Sequence, residues 1–121
     1  MQTDTFKDKV VIVTGGANGI GRCIADEFRK QGAIVYVIDK QEGEHFVGDI
    51  SKQDVLEAFA SEVLSKHNKV DIIVNNALPL MRGIDECSYD EFQYALSVGV
   101  TAPFYLVKLL KNHLAEGASI I

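Results

Sequence analysis

The stretch TGGANGIG, residues 14–21, decides the fold. It follows the apolar run Val10 to Val13 and precedes RCIADEFRK. A glycine-rich turn between a β-branched run and an amphipathic segment is where backbone N–H groups and a helix N-terminus meet a phosphate. Glycine lets the chain turn tightly there and lets a ligand approach without interference from a Cβ. Gly16 and Gly21 also have the spacing of a GxxxxG phosphate loop. The next residues are Arg22-Cys23 rather than Lys-Ser or Lys-Thr, so the lysine and the magnesium-binding hydroxyl of that motif are missing.

Working outward, short apolar runs alternate with longer amphipathic ones. The runs are residues 9–13, 33–39, 45–49, 70–76 and 118–121, apolar throughout in the manner of buried parallel strands. Between them, residues 19–31 place Ile20, Cys23, Ile24 and Phe28 at helical spacing, with Gln31-Gly32 as the stop. Residues 51–67 open with Ser51 as an N-cap and Asp54 three later, then show the stripe Val55, Leu56, Phe59, Ala60, Val63 and Leu64. Ser88 and Glu91 form a capping box, and the helical pattern after it runs to about Leu114. Pro103 should bend or restart that helix, and Gly117 should end it. Only Lys40 to His45 separate the second and third strands, too few for a crossover helix, so a short loop is expected.

This order predicts one α/β domain over residues 1–121: a Rossmann-type, doubly wound parallel sheet in the order 3-2-1-4-5, with helices on both faces. A chain of 121 residues, 47% hydrophobic and 24% charged, suits a single globular domain. The net charge of −5 argues against a nucleic acid or an anionic membrane as partner. No apolar run reaches the roughly 20 residues that span a bilayer. The start, MQTDTFKDK, is polar and has no apolar signal core. Cys23 and Cys87 stand in no close-spaced motif, which suggests reduced thiols and a cytoplasmic setting. His45, His67 and His113 have no ligand-like spacing, so no metal site is expected. Asp85-Glu86 and Asp90-Glu91 read as the charged start of a helix.

The glycine loop resembles that of the short-chain dehydrogenase/reductase family, TGxxxGxG. Thr14, Gly15, Gly19 and Gly21 occupy its fixed positions, with Ala17, Asn18 and Ile20 between them. Asp39 ends the second strand, where the family's NAD-selective members hold the adenosine ribose. Asp49-Ile50 resembles the family's adenine-contacting pair, and Asn75-Asn76-Ala77 resembles the start of its NNAG motif. The resemblance implies an NAD(P)-dependent oxidoreductase that transfers hydride between a secondary alcohol and a ketone. It also implies a homodimer or homotetramer. A carboxylate at Asp39 suits two ribose hydroxyls and repels a 2′-phosphate, and Asn18 stands where NADP-preferring members carry a basic residue. NAD is therefore the expected cofactor, with NADP less favoured and Lys40 the dissenting charge.

The chain also departs from the family. Leu78 replaces the glycine of NNAG, and Gly99 occupies the position of the family's active-site asparagine. The family's chemistry uses a Ser and a Tyr-x-x-x-Lys pair on one helix. Tyr36 and Lys40 have that spacing, but they lie on a strand, where residues four apart are about 13 Å distant. Tyr89, Tyr94 and Tyr105 have no lysine four residues later. No catalytic residue is therefore assigned, and the sequence reads as the N-terminal half of a longer dehydrogenase, ending inside the fifth strand. The alternatives are a dinucleotide-binding module that does not catalyse, or an interaction protein that has kept the fold.

Overall fold

A computed structural model describes residues 5–121. Five strands are formed: β1 (Val10–Thr14), β2 (Ile34–Asp39), β3 (Phe46–Val47), β4 (Val70–Asn75) and β5 (Leu114–Ile120). All are parallel, in the order β3-β2-β1-β4-β5. The helices are α1 (Gly19–Lys30), α2 (Gln53–Lys66), α3 (Tyr89–Leu96) and α4 (Ala102–Leu110). The predicted architecture and strand order are both present.

The central strand is apolar on both sides because helices cover both faces. Ile12 joins Ile38, Ile73, Phe59 of α2 and Leu106 of α4 in one core. Val11 and Val13 point the other way and join Val37, Val74 and Ala25 of α1 in a second core. Phe59 is fully buried, and truncating such a side chain costs roughly 3–5 kcal/mol. The short link after β2 is a loop, as its length required, and β3 pairs with β2 only at Ile38–Phe46 and Asp39–Val47.

Several local expectations are corrected. The N-cap of α2 is Lys52, not Ser51. The Ser51 amide instead donates to Asp49 Oδ1 at 2.9 Å, closing a turn before the helix. On α1, Cys23 is exposed and Ile20 is 76% exposed, while Gly21 and Ala25 are the buried residues. Small residues let this helix lie close on the sheet, so its buried face is set by size as much as by polarity. The last helix ends at Leu110 and passes through a 3₁₀ turn, Lys111–His113. Gly117 does not end it. It lies within β5 with φ of 77°, where the register slips between Val70–Leu114 and Ile72–Ser119. This left-handed residue falls in the irregular stretch of the β4–β5 ladder.

Ser88 caps α3 as expected, its Oγ accepting from the Glu91 amide at 3.1 Å. The Glu91 carboxylate turns to Arg82 and to the Ser88 hydroxyl. Between α3 and α4 lies a π-helical turn, Ser97–Thr101, and Pro103 sits in the first turn of α4. The wider turn accommodates the missing proline N–H, so the helix restarts there rather than breaking.

Candidate functional site

The carboxyl ends of β1, β2 and β4 open into one cleft of about 790 Å³. Its floor is the glycine loop. Gly15 has φ of 67°, and a Cβ there would lie 2.9 Å from Ala77 Cα. At Gly21 a Cβ would run into the Gly15 carbonyl and Asn76 Nδ2, so only glycine brings α1 this near the strand. The space at Gly19 is open: apart from its chain neighbours and the local helix backbone, no atom lies within 4 Å of where a Cβ would stand. Gly19 and Ile20 open α1, whose first turn carries no acidic residue. Its N-terminal N–H groups and positive dipole end face the cleft and suit an anion.

A staple joins β1 to β4 beneath this loop. Thr14, only 3% exposed, accepts at its Oγ1 from the amides of Asn76 and Ala77, both at 3.1 Å. Asn76 Nδ2 donates back to the carbonyls of Thr14 at 3.2 Å and Gly15 at 3.1 Å. Asn75 stands one residue earlier, in the strand, with its amide bonded to the Ile121 carbonyl at 2.8 Å. Thus Asn76 and Ala77 line the cleft, and the Asn76 side chain shapes it.

Two bonds tie the loop to the end of β2. Asp39 Oδ2 accepts from the Ala17 amide at 3.0 Å, and Asn18 Nδ2 donates to Gln41 Oε1 at 2.7 Å. Asp39 Oδ1 accepts from the Gln41 amide at 2.9 Å. A carboxylate has about four acceptor sites, so Asp39 keeps capacity for a further donor on each oxygen.

Asp49 lines the same cleft beside the buried Ile50. The Tyr94 hydroxyl donates to both Asp49 oxygens at 3.1 Å. Partial burial pushes the Asp49 carboxyl up, but hydrogen bonds from Ser51 and Tyr94 and the charge of Lys40 outweigh it and hold the group below its ordinary range. Burial and the neighbouring Asp49 charge push the Tyr94 phenol up. In the sequence Thr14 is a fixed position of the glycine motif and Tyr94 only a tyrosine without a lysine partner; the bonds they make to the loop after β4 and to Asp49 are not encoded in those patterns.

Leu78 borders the cleft with its side chain 86% exposed. Gly99 falls within the π-helical turn, and no atom outside the local helix lies within 4 Å of where its Cβ would stand. Tyr36 and Lys40 are far apart in role as well as position. The Tyr36 hydroxyl meets His67 Nε2 at 2.7 Å, while Lys40 Nζ lies 5.6 Å from the Tyr94 ring centroid. Among the described residues, no group of three or more His, Cys, Asp or Glu side chains is placed to hold a metal. No helix among them is long and apolar enough to cross a membrane.

A glycine loop stapled between β1 and β4, with a carboxylate at the end of β2, defines a Rossmann-type nucleotide site. The family model described as short chain dehydrogenase matches residues 9–121, and this chain belongs to that family. It is similar to L-fucose dehydrogenase from Mus musculus, 35% identical over 125 residues, covering 92% of this chain and 46% of that protein. It is also similar to the structure of 3-ketoacyl-(acyl-carrier-protein) reductase from Brucella melitensis complexed with NADH. That match has 29% identity and a TM-score of 0.81, and covers 90% of this chain and 51% of that one. A short chain dehydrogenase from Burkholderia cenocepacia in complex with NADP matches with 25% identity and a TM-score of 0.86, covering 95% of this chain and 54% of that one. The chain spans about half the length of the curated relatives it matches.

Proposed function

We propose that this chain is the cofactor-binding half of an NAD-dependent oxidoreductase acting between a secondary alcohol and a ketone. The observation that carries this is the Asp39 carboxylate, bonded to the glycine loop through Ala17 and facing the cleft. The open space at Gly19 and the N-terminus of α1 without an acidic first turn fit a pyrophosphate. Gly15, Ala17, Asn18, Gly19, Ile20 and Gly21 would cradle it, and Asp39 would take the adenosine ribose. Asp49 and Ile50 would border the adenine, and Asn76 and Ala77 would border the path toward the nicotinamide, with Asn75 behind them. When bound, the nicotinamide accepts or supplies the hydride. This chain's residues bind and orient that cofactor and keep β1 and β4 in register beneath it. Tyr36 does not line the cleft and its hydroxyl meets His67, so Tyr36 and Lys40 do not form the family's Tyr–Lys pair there.

The choice of NAD over NADP rests on charge. Asp39 would face a 2′-phosphate with a second negative group, which the desolvated edge of a cleft penalises. The test is a fluorescence titration with NADH and NADPH. Tighter binding of NADPH than NADH would overturn the preference, and no binding of either would overturn the site.

The reading carries with it a small-molecule alcohol or ketone substrate, a cytoplasmic setting and a homodimer or homotetramer. Support for the last comes from α3 to α4. Phe92, Leu96, Val100 and Phe104 recur every four residues and are 52%, 41%, 62% and 63% exposed, an apolar stripe suited to a second copy. Light scattering of the purified protein checks it, and a monomer would refute it.

A further inference from the structure

Lys40 is the cation among the described residues that line the cleft. It follows Asp39 directly, so its charge is the feature that would favour a 2′-phosphate. Its ammonium is engaged elsewhere. Lys40 Nζ lies 5.6 Å from the centroid of the Tyr94 ring. The hydroxyl end of that ring is anchored by both oxygens of Asp49, whose negative charge also attracts Lys40. Asp49 is fixed in turn by the Ser51 amide. None of the ion pairs among the described residues joins Lys40 to Asp39.

We propose that Tyr94 sets the cofactor preference by holding the Lys40 ammonium over its ring and beside Asp49, away from the position of a 2′-phosphate. The inference rests on the dinucleotide reading above and adds to it a specificity determinant on a different helix from the glycine loop. An ammonium over the face of a phenol is attracted by the ring quadrupole, and a carboxylate at the ring's far end strengthens the same pull. Lysine has a flexible stem and a point charge, so its position depends on such a restraint. With Tyr94 in place, Asp39 acts unopposed. Without it, Lys40 is released to offset Asp39 and to meet a phosphate.

Dissociation constants for NADH and NADPH would be measured by fluorescence titration for the wild type, Lys40→Ala, Tyr94→Phe, Tyr94→Leu and the double variant. Lys40→Ala should leave the NADPH constant within about twofold, as for a surface charge that makes no contact with the ligand. Tyr94→Leu should tighten NADPH relative to NADH by about fivefold, the scale of one exposed charge pair, and added salt should erase the gain. The double variant should cancel it, and Tyr94→Phe, which keeps the ring, should retain most of the wild-type preference. The proposal is overturned if Tyr94→Leu leaves the ratio unchanged while NADH still binds. A fivefold or larger loss of NADPH affinity in Lys40→Ala would overturn it as well. That second outcome decides the matter even if Tyr94→Leu does not fold, since Lys40 is exposed. A wild type that binds neither dinucleotide would overturn the dinucleotide reading itself and this inference with it.

Discussion

The Asp39 carboxylate and the Ala17 amide are joined by a 3.0 Å hydrogen bond that ties the end of β2 to the glycine loop. The residue expected to select the cofactor therefore also shapes the loop that would hold its phosphates. The two roles are separable. Asp39→Asn removes the charge and keeps one acceptor oxygen for the Ala17 amide, losing the one for Gln41. Asp39→Ala removes the charge and both acceptors. Both variants should raise NADPH affinity relative to NADH. Asp39→Ala should lower the melting temperature further than Asp39→Asn, because the loop amide loses its partner as well. The further loss should be about 1–3 kcal/mol, the usual range for a hydrogen bond to a charged group. Melting curves and paired titrations check this, and equal melting temperatures for the two variants would count against it.

Thr14 is the buried joint of the site. Its Oγ1 accepts from two backbone amides of the loop after β4. Thr14→Val keeps the shape and removes the acceptor, leaving the Asn76 and Ala77 amides short of partners. Each unpaired buried amide costs about 1–3 kcal/mol. Thr14→Ser retains the hydroxyl and should recover most of the loss. Chemical denaturation of the three proteins tests it, and a Thr14→Val variant as stable as wild type would refute the staple.

Asp49 and Tyr94 give stability a pH signature. The Asp49 carboxyl is held below its ordinary 3.8, so its contribution is present above that value and is lost as pH falls through the lower folded value. The Tyr94 phenol is held above its ordinary 10.0, so its contribution is present below that value and is lost as pH rises through the higher folded one. The stability difference between wild type and Tyr94→Phe should therefore be flat from about pH 5 to pH 9 and shrink at both extremes. Both groups are partly solvated, so the amplitude is small. Denaturation at a series of pH values measures it, and a difference that grows below pH 4 would contradict the assignment.

The strand order and the glycine loop were legible in the sequence because each is written in a local pattern. Val10 to Val13 reads as a buried strand from four consecutive residues, and the loop's glycines follow at once. What escaped was set by partners far along the chain. Tyr94 reaches Asp49 across 45 residues, and Asn76 reaches Gly15 across 61, and no periodicity encodes such pairs. Asn75 and Ala77 were the residues expected at the cofactor, whereas Asn76 and Ala77 line the cleft, because β4 runs through Asn75 and the turn begins one residue later. The buried face of α1 was misjudged at Cys23 because hydrophobicity ranked it above Ala25. The close approach at Gly21 makes the smaller residue the one that packs. Ser51 looked like a cap, but the Asp49 side chain took the Ser51 amide into a turn first.

Gly99 supplies the last test. In the resemblance to the family its position belongs to an asparagine, and the structure shows what stands in the way of one, which is nothing. No atom outside the local helix lies within 4 Å of a Cβ built there, and Gly99 is not among the residues of positive φ. The glycine is therefore not demanded by packing or by backbone conformation. In a helical setting, glycine is among the poorer residues, and asparagine is better by a few tenths of a kcal/mol. Gly99→Asn should leave the melting temperature unchanged or slightly raised. NADH affinity should stay within about twofold of wild type, because Gly99 does not line the cleft that holds the glycine loop, Asp39 and Asp49. The measurements are a thermal melt and an NADH titration of the two proteins side by side. A loss of more than about 1 kcal/mol would show that the π-helical turn at Ser97–Thr101 needs glycine for its geometry, and that the open space beside it is not available to a side chain.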